Sequence, residues 1–167
     1  MKKDAKEILN YDIDFDTGLG DEIRFCMTKD EFFNQYNIEE YLSSNQATYK
    51  NGVLRLFDNS ITLFFSPSDN FKLISINVSN LFKGKYLGKI GVGTPFGELR
   101  ALKQDDLHMD DNFHIGEGYM NEIVLDEDEY RERCKKEGKL VGNPIYYYNG
   151  EVDDCNIYSI FFGTEDC

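Results

Sequence analysis

Apolar positions change period several times along this chain, and each change marks an element. Ala5, Ile8 and Leu9 share one face of a short helix predicted over Lys2 to Asn10. From Tyr11 the period drops to two: Tyr11, Ile13 and Phe15 alternate with Asp12, Asp14 and Asp16, the pattern of a half-exposed strand. Thr17-Gly18-Leu19-Gly20 turns the chain, and Ile23 to Met27 reads as a second short strand. Thr28-Lys29-Asp30-Glu31 has capping-box spacing. Phe32, Phe33, Tyr36, Ile38, Tyr41 and Leu42 then follow at helical spacing, interrupted at Asn37, and Ser43 to Gln46 forms a polar loop.

The middle of the chain predicts a meander. Val53 to Phe57, Ile61 to Phe65 and Phe71 to Val78 are strand-length apolar runs separated by turn sequences, and Asn51-Gly52 is the strongest hairpin signal. Leu87 to Val92 is a further short apolar run. Thr94, as N-cap, and Pro95, as first helical residue, predict a helix through Leu102. Gln104 to Gly118 reads as a long acidic loop with little periodicity. Ile123 to Leu125 is a strand, and Asp126 to Glu137 a helix with acid first, base last and Gly138 at its end. Ile145 to Tyr148 and Ile157 to Phe162 predict a closing hairpin around Asn149 to Asp154. The expected fold is one α+β domain over residues 1–167, a mostly antiparallel sheet with about three or four peripheral helices.

Charge narrows the field. The 167 residues carry 18 Lys and Arg against 31 Asp and Glu, a net charge of −13. Such a chain lacks the basic face that binding nucleic acid or anionic lipid requires. Met1-Lys2-Lys3 is followed at once by Asp4, Lys6 and Glu7, so no signal peptide is expected, and no apolar run is long enough to span a membrane. Cys26, Cys134, Cys155 and Cys167 are widely spaced, without a CxxC pair. They read as free thiols of a reducing cytoplasm and not as a zinc site.

Candidate chemistry is sparse. Asp12, Asp14, Asp16 and Gly18 resemble the start of a calcium loop, but Thr17 stands where glycine is needed and Ile23 where a bidentate Glu belongs. Gly91-Val92-Gly93-Thr94-Pro95-Phe96-Gly97 has its third glycine one position late for a dinucleotide loop, although the amides of the following helix could receive a small anion. His108 and His114 lie near Asp110 and Asp111 without a recurring metal spacing or an obvious third ligand. No nucleophile elbow is present, and no cofactor, metal or catalytic turnover is expected. The acid itself stands out, because loops that mix carboxylates with aromatic residues have the composition of a protein interface.

Size, acidity, the strand–Gly-Thr-Pro–helix element from Lys89 to Leu102, and the closing Tyr146-Tyr147-Tyr148-Asn149-Gly150 and Ile157-Tyr158-Ser159-Ile160-Phe161-Phe162 segments carry a resemblance. The chain resembles the small bacterial immunity proteins of contact-dependent inhibition and related polymorphic toxin systems. That resemblance implies an inhibitor that covers the active site of a basic, nuclease-type toxin domain, and it carries over no functional residue by match. The expected interface combines Asp105, Asp106, His108, Asp110, Asp111, Phe113 and Tyr119 with Asp153 and Asp154. Two other classes stay open: a non-enzymatic ligand-binding or interaction domain, and a small hydrolase using a carboxylate pair.

Overall fold

The computed structural model describes residues 1–103, 106–109, 113–116, 121–139 and 150–167. A 3₁₀ helix, Ala5–Asn10, opens the chain. A small antiparallel sheet follows, made of β1 (Ile13–Asp14), β2 (Gly18–Leu19) and β3 (Ile23–Arg24). The predicted capping box forms at α1 (Lys29–Gln35): Glu31 N donates to the Thr28 hydroxyl, and Thr28 N donates to the Glu31 carboxylate. The helix stops at Asn37, and α2 (Ile38–Ser43) begins afresh. Asn37 is kept out of helix by the N-terminus, since its Oδ1 accepts from Ala5 N at 2.9 Å and its N donates to Lys3 O at 3.0 Å.

The three predicted strands of the meander are β5 (Val53–Leu56), β6 (Ile61–Ser66) and β7 (Lys72–Ser79), and a further strand, β4 (Ala47–Lys50), precedes them across the Asn51-Gly52 turn. Next come α3 (Phe96–Lys103), β8 (Leu107–Met109), β9 (Phe113–Ile115), β10 (Glu122–Leu125), α4 (Asp128–Glu137) and β11 (Ile157–Gly163). Eight strands form one antiparallel sheet in the order β4-β5-β6-β7-β11-β10-β9-β8. The last strand is therefore central and joins two meanders that have no direct contact as strand neighbours. This is an α+β domain dominated by its sheet.

Register decides which side chains are interior. Leu56, Ile61, Val78, Ile160, Ile123 and Phe113 stand opposite one another across six strands, and all are buried. The adjoining ladder on the other face runs through Arg55, Thr62, Asn77, Phe161, Glu122, His114 and His108. The first face carries the core. Phe32 of α1 packs on Phe65, Phe96 of α3 on Phe113, and Phe15 and Phe25 on Phe162.

Several expectations are corrected. Within Leu87 to Val92, residues 87–89 form a tight turn closed by the Tyr86–Ile90 backbone pair, with Leu87 and Gly88 both at positive φ. Thr94 does not cap α3; its hydroxyl accepts from Gly91 N at 3.0 Å. Part of the supposed loop from Gln104 is the β8–β9 hairpin, with His108 directly opposite His114. The hairpin expected to close the chain does not form around β11, whose two edges are taken by β7 and β10; Ile145 to Tyr148 lie outside the described residues. Cys26 and Cys167 form a disulfide, leaving Cys134 and Cys155 as buried free thiols. The expectation of four free thiols is thereby corrected. Among the described residues, no helix is long and apolar enough to cross a membrane.

Candidate functional site: two acid-lined clefts

The structure describes five of the nine residues of the expected interface: Asp106, His108, Phe113, Asp153 and Asp154. Phe113 is 5% exposed, because its register opposite Ile123 turns it into the core against the Phe96 ring at 4.1 Å. It cannot be an interfacial anchor. His114, on the same strand, is buried on the opposite face, and His108 is exposed. Asp153 and Asp154 are engaged within the chain. The Arg100 Nε donates to Asp153 Oδ1 at 2.6 Å, and Arg133 holds both Asp154 oxygens at 3.0 and 3.3 Å. Asp105, Asp110, Asp111 and Tyr119 lie outside the described residues, while Asp106 is exposed.

The Asp153–Cys155 segment also answers the anion expectation at α3. Phe96 N donates to Cys155 O at 2.8 Å and Gly97 N to Asp153 O at 2.9 Å. Those amides are satisfied by backbone, and an anion would have to displace it.

One cleft, of about 300 Å³, lies at the start of α4 between Asp126, Asp128, Glu129, Arg133, Asp154 and Cys155. Arg133 holds the Asp154 carboxyl below its ordinary range, chiefly through their hydrogen bond. Burial, then the Asp154 charge, pushes the Cys155 thiol up to about 11. A thiol in that state stays protonated at neutral pH and is a poor nucleophile.

The second cleft, of about 310 Å³, opens between the small sheet, the Tyr86–Ile90 turn and the β9–β10 end of the large sheet. Two stretches that look unrelated in sequence meet here: Asp14 and Asp16 from the first alternating segment, and Asp106 from the acidic region after α3. All three carboxylates are exposed. Asp14 also shapes its own turn, accepting from Asp16 N at 2.9 Å and Thr17 N at 3.1 Å. Asp12, first of the alternating acids, does not line this cleft and accepts from Lys85 N at 3.1 Å.

Phe15 stacks on Tyr86 at 4.2 Å to form an aromatic wall. Lys103 lies 5.7 Å from the Tyr86 ring centroid and 3.6 Å from Asp106. The Tyr86 hydroxyl, and secondarily the charge of Asp106, hold its ammonium above the ordinary 10.5.

Leu87 stands at the lip. It is 55% exposed and has a φ of 51°, in the left-handed region a branched apolar residue rarely occupies. Leu87 and Asn121, which contribute to this cleft, carry no signal in the sequence; only the turn geometry shows the first, and only an unpaired acceptor shows the second. Among the described residues, no three His, Cys, Asp or Glu side chains are grouped to hold a metal ion. Among the described residues, the carboxylates whose pKa departs from the ordinary value move down, as ion-paired or hydrogen-bonded carboxylates do. No protein-family model, curated protein or solved structure matches this chain.

Proposed function

We propose that this protein is an inhibitor of the immunity type, which binds a basic, nuclease-type toxin domain through the acid-lined cleft beside Leu87. One observation carries the reading: Asp14, Asp16 and Asp106 come from distant parts of the chain to line one cleft with an exposed leucine at its edge. Interfaces pair such features. Carboxylates steer a cationic partner toward the surface, and an apolar anchor buried at the centre slows its departure. The net charge of −13 strengthens the steering, which acts over about a Debye length, ~8 Å at physiological salt.

This site replaces the interface expected from Phe113, Asp153 and Asp154. Asp106 is kept from the earlier set, and Leu87 takes the role given to Phe113. A toxin whose active site binds phosphates would meet carboxylates in their place. The protein itself performs no chemistry in this reading and needs no cofactor.

The test is capture of partners from native host cells, followed by surface-based kinetics at two salt concentrations. A basic protein should be retained, with association slowed by added salt. Asp16→Lys with Asp106→Lys should slow association further, and Leu87→Ala should mainly speed dissociation. Retention of a small molecule without a protein partner would favour the ligand-binding class instead. Binding indifferent to salt and to these variants would remove the proposed interface.

A further inference from the structure

We infer that the Cys26–Cys167 disulfide is a redox-sensitive latch, which a dithiol opens in the folded protein to free residues 165–167 and which recloses on oxidation. The latch is separate from the inhibitor reading, since neither cysteine lines the cleft beside Leu87. The starting point is the edge of β7 that β11 occupies. β11 pairs along Ser75 to Ser79, and Thr164 N extends the line by donating to Ile74 O at 2.9 Å. At the next residue a different segment takes over. Cys26 N donates to Leu73 O at 2.9 Å, Leu73 N donates to Met27 O at 2.8 Å, and Thr28 bridges Lys72. The disulfide spans this handover, joining the segment between β3 and α1 to the residues that follow β11.

The two sides of the latch are held unequally. Cys26 is fixed in place by the paired bonds to Leu73. Residues 165–167, by contrast, make no backbone–backbone hydrogen bond with any described residue. Asp166 N turns back to the Thr164 hydroxyl at 3.2 Å, and Lys72 Nζ donates to Cys167 O at 2.8 Å. Once reduced, the thiols add only weak S–H donation, to Asp166 O at 3.3 Å and Leu73 O at 3.7 Å. The short segment after Thr164 is therefore the part that moves, while the pairing of β11 with β7 and β10 does not run through the sulfurs.

Access favours the reaction. Cys167 is exposed and Cys26 is half-buried, and exposed disulfides are the labile ones. A thiolate of the dithiol attacks the Cys167 sulfur; the S–S bond breaks and Cys26 leaves as a thiolate. The second thiol of the reagent then displaces Cys167 and closes its own disulfide. Two electrons pass from the dithiol to the cystine, and the two protons of the dithiol end on Cys26 and Cys167. Reclosure is local as well. Thr164 stays anchored to Ile74, so a tether of a few residues keeps the two thiols at an effective concentration on the order of millimolar. The other cysteines do not compete: Cys134 and Cys155 are buried, and burial pushes the Cys155 thiol up to about 11.

The experiment uses the whole chain, oxidised with glutathione disulfide and then treated with dithiothreitol without denaturant. Amide NMR and a Glu-specific protease follow the change. Reduction should shift amides of residues 25–28, 72–74 and 163–167 and leave the rest of the sheet unmoved. Cleavage after Glu165 should become several-fold faster, because a protease needs a loosened segment. Reoxidation of uncut chain should restore both the spectrum and the resistance. Cys167→Ser, at an exposed position, should show the open spectrum and fast cleavage throughout and should ignore dithiothreitol.

A disulfide that dithiothreitol opens only in denaturant would overturn the latch. Shifts spreading to Leu54, Ile76 and Ile123 in the core would overturn it too, since the bond would then be a staple on which the whole fold depends. Cleavage at Glu165 indifferent to reduction would show that residues 165–167 are not released.

Discussion

Gly84 lies so close to the Tyr11 carbonyl that a Cβ at position 84 would stand 1.8 Å from its oxygen. The approach is held by three neighbouring bonds: Lys83 N to Leu9 O at 2.7 Å, Ile13 N to Lys85 O at 3.0 Å, and Lys85 N to Asp12 Oδ1 at 3.1 Å. Ile13 and Tyr86 then form a parallel bridge, which brings Tyr86 and Leu87 beside Asp14. The missing side chain at Gly84 is thus what closes one wall of the cleft.

Gly84→Ala should therefore destabilise the protein by about 3 kcal/mol, the upper end of overpacking costs, since the obstacle is backbone and cannot change rotamer. A urea denaturation curve with unchanged slope and lowered midpoint would report this. Partner binding should weaken as well, because the Tyr86–Ile90 turn can no longer dock.

Leu87→Asn should separate stability from binding. Asn tolerates the left-handed region that Leu87 occupies, so relief of backbone strain should raise stability by up to about 1 kcal/mol. The exposed anchor is lost in the same change. Thermal melting should show a higher midpoint while partner dissociation becomes faster.

Cys26→Ser should lower stability by about 2–5 kcal/mol, because the disulfide closes a loop spanning a sequence separation of 141. Thiol titration of the denatured, unreduced chain should find two reactive cysteines, Cys134 and Cys155, and four after reduction. Four thiols before reduction would contradict the Cys26–Cys167 pairing.

Acid stability should depend on Glu22. Its hydrogen bond with Lys3, and then those from Tyr36 at 3.0 Å and Tyr11 at 3.1 Å, hold its carboxyl below the ordinary 4.5. A carboxylate depressed in the folded state contributes stability above the unfolded pKa and loses it as pH falls through the folded value. Wild-type stability should thus decline below about pH 4.5, and Glu22→Gln should flatten that part of the profile. The comparison is unfolding free energy measured from pH 6 down to about pH 3.

Local patterns by themselves determined much of the architecture. Strand-length apolar runs between Val53 and Val78, bounded by turn sequences such as Asn51-Gly52, specified the meander, because turn chemistry fixes where a strand must reverse. Thr28 and Glu31 specified a helix start, because the two partners of a capping box lie within one turn. The acidity was equally plain in the composition. What the chain could not reveal locally was parity and distance. Whether Phe113 or His114 faces the core depends on a register set by Ile123, ten positions away on another strand, and the short β8 and β9 offer too few residues for alternation to show. The place of β11 between β7 and β10, the pairing of Cys26 with Cys167, and the convergence of Asp14, Asp16 and Asp106 all join residues far apart in sequence. Such contacts follow from packing the whole sheet against its covering layer, so tertiary structure alone decided which of many carboxylates share a cleft and which are consumed by an arginine.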